Sequence, residues 1–78
     1  MLRNGLKMQK DVAELLSTTM LRHGAEIDQL LLNIQPKCTR EQFDVIKLMM
    51  GKVMGSIYLD CLYVVFSEHP DLKPEGLN

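Results

Sequence analysis

The sequence predicts an all-α fold: two long antiparallel helices, a helical hairpin, with enough spare apolar surface to dimerise into a four-helix bundle. Three observations predict it. Thr39-Arg40-Glu41-Gln42 is a capping box that opens a stretch uninterrupted by proline until Pro70. A helical apolar period runs from about Leu6 to Leu32. The connection between the two, Asn33 to Cys38, is short and contains Pro36, so the helices return on one another.

In chain order, Met1 to Gly5 is a lead-in in which Asn4 can cap. The first helix then spans about residues 5–33. Its apolar arc holds Leu6, Val12, Ala13, Leu16, Met20, Ile27, Leu30, Leu31 and Ile34. The opposite arc is wet and includes Lys10, Glu14, Ser17, Arg22 and Asp28, with Leu15, Leu21 and Leu32 as isolated apolar members. Gly24 interrupts the apolar side. A turn at about 34–38 follows, with Asn33 suited to cap the first helix. Folding about so tight a turn sets Leu16 against Gly55, Met20 against Gly51 and Glu26 near Lys47.

The second helix spans about residues 39–68, roughly 43 Å at 1.5 Å per residue. Counted at about 100° per residue, one stripe gathers Phe43, Ile46, Met50, Val53, Met54, Ile57, Cys61 and Val64. A second stripe lies nearly opposite: Leu48, Leu59, Leu62 and Phe66, with Gly51 and Gly55 beside it. A helix apolar on two sides requires two neighbours. Leu48, Gly51, Gly55, Leu59, Leu62 and Phe66 are therefore the expected interface residues, the two glycines permitting close backbone approach. Pro70 ends the helix, and residues 69–78 read as an extended tail in which Leu72 and Leu77 can tuck against the hairpin. The whole chain, 1–78, is one domain.

At 78 residues a single core is marginal, and self-association is a common remedy. The net charge of −1 comes from nine basic and ten acidic residues, mixed along the chain, so no basic face points to nucleic acid or to an anionic membrane. The most apolar run, Val53 to Phe66, is short for a membrane span and contains Asp60. With charges throughout the N-terminal stretch, the expected location is cytoplasmic. Cys38 and Cys61 sit about 34 Å apart along one helix, too far for a disulfide.

No catalytic constellation is legible, so the chain is not expected to be an enzyme, and no cofactor is expected. His23 and Glu26 are three apart and share a face, in the reverse order of the Glu-x-x-His used by carboxylate metal bundles. Asp60 sits in the most apolar part of the chain, at a stripe boundary. The methionines Met8, Met20, Met49, Met50 and Met54 suit either core filling or an adaptable binding surface. In outline the hairpin is similar to small secretion-system chaperones and toxin-neutralising immunity proteins, a likeness of shape that does not determine function.

The sequence thus points to a non-catalytic protein–protein interaction module: adaptor, chaperone, immunity or regulatory protein. It would act as a homodimer or by holding a heterologous partner helix. The alternative is a small ligand- or metal-binding bundle using His23, Glu26 and Cys61.

Overall fold

The computed structural model describes residues 8–75. Two helices make a hairpin: α1, Lys10–Ile34, and α2, Arg40–Glu68. A 3-10 turn at Gln35–Lys37 joins them, and a second, Pro70–Leu72, folds the tail. The principal extents are 46 × 25 × 19 Å.

The second helix starts where its sequence says. The Thr39 hydroxyl accepts from the Gln42 amide at 3.1 Å, and the Gln42 side chain accepts from the Thr39 amide at 2.9 Å. Both halves of the capping box are closed. Lys47 lies over the Phe43 ring, 5.8 Å from its centroid, rather than against Glu26.

The first helix begins at Lys10, later than the sequence expects, because the chain before it is engaged elsewhere. The Met8 amide donates to Glu68 Oε1 at 3.0 Å, and His69 Nε2 donates to the Met8 carbonyl at 2.8 Å. Lys10 pairs with Asp71. These bonds clasp the entry of α1 to the end of α2, and the tail beyond Pro70 is wound rather than extended. The expected roles of Asn4 and Leu77 fall outside the described residues. Asn33 lies within α1, where its side chain accepts from Gln29 at 3.1 Å, and the helix runs on to Ile34.

The Asp71 carboxyl is held below its ordinary value by the hydrogen bond from Lys10, and Lys10 is raised by the same bond. The lowered carboxyl favours the clasp above the ordinary aspartate range, and that contribution is lost as pH falls through the lowered value. The raised ammonium contributes below the ordinary lysine value and is lost as pH rises through the raised one. The pair therefore holds from mildly acid to mildly alkaline pH, weakly, because both groups are exposed. The Leu72 amide, bonded to the His69 carbonyl at 3.0 Å, reports on the clasp. Its hydrogen exchange should be faster in Lys10→Met than in the parent at neutral pH. Acidification should narrow that difference. Equal exchange at every pH would show that the ion pair does not hold the tail.

Between residues 56 and 62 the second helix changes winding. Ser56–Leu62 is a π segment, with the Tyr63 amide bonded to the Tyr58 carbonyl five residues back. In an α-helix the residues that follow Ile57 on its face are Cys61 and Val64. Here they are Leu62 and Val65. The π turn absorbs one extra residue and rotates everything after it, so Leu62 and Val65 become fully buried at 1% exposure each while Cys61 and Val64 are only half-buried. Leu62, expected on an outer interface, is therefore a core residue of the hairpin.

Against these bulky side chains α1 presents small ones. Ala13, Ser17 and Gly24 are its buried residues. Ser17, assigned by its polarity to the wet arc, is only 3% exposed, and its hydroxyl donates to the Glu14 carbonyl at 3.2 Å. Gly24 lies against Tyr58, not against Leu48 as a tight turn would dictate: a Cβ at Gly24 would stand 3.0 Å from the Tyr58 hydroxyl. Two causes shift the register. The 3-10 turn and the extended Cys38 carry the chain onward before α2 starts, and a helical side chain such as Tyr58 leans toward its own N-terminus. The glycine that makes room is thus Gly24, which accommodates the Tyr58 ring. A Cβ at Gly51 or Gly55 would meet nothing within 4 Å.

Candidate interaction surface

Among the described residues the buried apolar side chains are Ala13, Ile57, Leu62 and Val65. Four such residues are a small core against the conformational entropy of a chain this long. Much of the remaining apolar surface faces outward, and on α2 it is ordered. Val45, Leu48, Met49, Leu59 and Tyr63 are 61%, 71%, 51%, 71% and 69% exposed. Val45 is three residues from Leu48 and four from Met49, and Leu59 is four from Tyr63, so each group shares one side of the rod. Lys52 and Ser56 lie on the same line, midway along it, and are exposed too. This face points away from α1, because the half-buried Phe43, Ile46, Met50 and Met54 occupy the other side of the same turns.

Of the six interface residues read from the sequence, Leu48 and Leu59 lie on this face. Gly51 is exposed and Gly55 half-buried beside it. Phe66 is half-buried along a groove of about 310 Å³ formed with Tyr58, Leu59, Tyr63, Pro70 and Lys73. Leu62 forms the floor of that groove from within the hairpin core. Sequence reasoning missed Val45 and Tyr63. Val45 is signalled by its three- and four-residue spacing from Leu48 and Met49. Tyr63 is signalled in the same way, four residues beyond Leu59 and seven beyond Ser56.

The residues proposed for metal or ligand binding do not assemble. The His23 ring and the Glu26 carboxylate are 3.2 Å apart, as their spacing implies, but His23 is exposed rather than a core residue. They stand at the rim of a shallow, apolar groove with Met20, Ile27, Leu30, Val53 and Ile57. Cys61 does not join them, and among the described residues no three histidine, cysteine, aspartate or glutamate side chains gather. Asp60 is exposed on α2, and Lys10 is engaged by Asp71.

The rod Arg40–Glu68, 29 residues with a mean hydropathy of 1.4 over its most apolar window, is long and apolar enough to cross a membrane by length and composition. Only 17% of that window is buried inside the hairpin. Lys47, Lys52 and Asp60 lie along the rod, and α1 runs beside it with a charged outer arc. No protein-family model, curated protein or solved structure matches this chain.

Proposed function

We propose that this protein is a non-catalytic interaction module that works as a homodimer, two hairpins joining through the outer faces of their second helices into a four-helix bundle. The observation that carries the reading is the exposed apolar surface Val45, Leu48, Met49, Leu59 and Tyr63, set on a hairpin in which four apolar side chains are buried among the described residues. Covering it removes apolar surface from water at about 25 cal/mol per Å², the largest favourable term open to so small a fold. A second copy offers the same surface at the same concentration, and a two-fold interface needs only one self-complementary patch. The role is that of a small adaptor, chaperone, immunity or regulatory protein, presenting α1 and the tail to whatever it serves. We place it in the cytoplasm, without a cofactor.

Light scattering behind a sizing column at micromolar concentration tests this. The expected particle has twice the 8.9 kDa chain mass. A monodisperse monomer would overturn self-association and leave that surface for a different protein's helix. A chain recovered quantitatively with neutral phosphatidylcholine vesicles, and lost from the soluble fraction, would overturn it in favour of the bilayer.

A further inference from the structure

The outer face of α2 is close to a palindrome in its chemistry. Along its middle it reads Lys52, Ser56, Asp60, with Lys52 and Asp60 four residues either side of Ser56. The π segment helps to align it. Four residues of α-helix overshoot one turn, whereas four residues of the wider π winding fall short of one. The offsets from Lys52 to Ser56 and from Ser56 to Asp60 therefore oppose each other, and Asp60 returns toward the Lys52 line. All three residues are exposed.

Building on the proposed homodimer, we infer that the two copies meet antiparallel about a two-fold axis at Ser56, with Lys52 of each paired to the partner's Asp60. In that register Ser56 faces its own copy. On the flank Leu48 meets the partner's Val64, both apolar and at least partly exposed in the hairpin. The axis falls near the middle of Arg40–Glu68, so the two rods overlap along almost their full length. Gly55, with open space where a Cβ would stand, and the small Ser56 let the backbones come close at the crossing.

Charge decides between this register and its neighbours. Moving the axis toward the N-terminus by half a turn sets Lys52 against Ser56 and Asp60 against Leu48, leaving the carboxylate against an apolar side chain. A parallel pairing sets Lys52 on Lys52 and Asp60 on Asp60, like on like. The register about Ser56 gives every charged residue on the face an opposite partner. It also assigns a purpose to a carboxylate placed in the most apolar part of the chain: it selects the orientation of assembly.

The experiment pairs charge reversal with cross-linking. Dimer dissociation constants are measured by sedimentation for Lys52→Asp, Asp60→Lys and the double variant, with far-ultraviolet circular dichroism confirming unchanged helix. Each single reversal should weaken the dimer about tenfold, since two pairs per dimer turn repulsive. The double variant should return to within about threefold of the parent. In a Cys38→Ser, Cys61→Ala background, Ser56→Cys should cross-link through a short bis-maleimide. Asp44→Cys should not, its two copies being about 36 Å apart along the axis. A monomeric parent would overturn self-association itself. A stable dimer whose double reversal is no better than the singles, or in which Asp44→Cys cross-links as readily as Ser56→Cys, would overturn the register and leave the homodimer standing.

Discussion

Truncating Leu62 to alanine should cost the hairpin about 2–5 kcal/mol, as removal of a fully buried leucine does elsewhere. Leu62 is 1% exposed and is one of four buried apolar residues among those described, so little else can collapse into the space it leaves. Small domains have about 5–15 kcal/mol in total, and a hairpin with so small a core belongs at the low end. Leu62→Ala should therefore populate the unfolded state at 25 °C or lower the midpoint of thermal unfolding by ten degrees or more, by order of magnitude. Leu59, three residues earlier, is 71% exposed, and Leu59→Ala removes nothing from the hairpin core.

The contrast between the two variants separates the layers of the assembly. If the outer face is covered by a second copy, Leu59→Ala weakens the dimer and makes thermal stability more dependent on protein concentration. The midpoint extrapolated to dilute monomer stays that of the parent. Leu62→Ala lowers the midpoint at every concentration. The measurement is circular dichroism melting over a hundredfold range of concentration. Equal, concentration-independent losses for the two leucines would mean that the hairpin core is not where Leu62, Val65 and Ile57 place it.

Elements whose ends are chemical were legible in the sequence. The Thr39 cap and the Pro70 stop act through single groups, a hydroxyl and a missing amide, and the second helix runs between them. The hairpin followed from the short linker containing Pro36. The register was not legible, for reasons of size and winding. Counting apolarity assigns Ser17 to water, yet it is buried because α2 needs a small residue opposite its bulky ones. Counting at about 100° per residue carries Cys61 and Val64 inward, and a π turn, which sequence periodicity does not announce, substitutes Leu62 and Val65. Leu62 was placed outside for the same reason, because it closes the altered winding; Tyr63 needed no such turn to be read, standing four residues beyond Leu59.

Deleting one residue from the π segment should leave the fold standing, whereas deleting one from the α-helical part of the same rod should not. The buried residues Ile57, Leu62 and Val65 are separated by five and then three positions. Removing Leu59 makes those separations four and three, which an ordinary α-helix places on one face. The segment can then close into i→i+4 bonds with its core side chains where they were, and the rod shortens by about 1.5 Å. Hairpin stability should change by no more than about 1 kcal/mol, in either direction, since an exposed side chain and one wide turn are lost and regular winding is gained. Removing Lys47, equally exposed, gives no such relief. Everything after it rotates by about 100° relative to Phe43 and Ile46, and Leu62 and Val65 leave α1 together. Burying each is worth about 1.5–3 kcal/mol, so this deletion should unfold the hairpin. Circular dichroism and thermal melting of the two deletions at low concentration, where self-association would not contribute, decide the matter. If the Leu59 deletion unfolds as fully as the Lys47 deletion, the winding is not what sets the core.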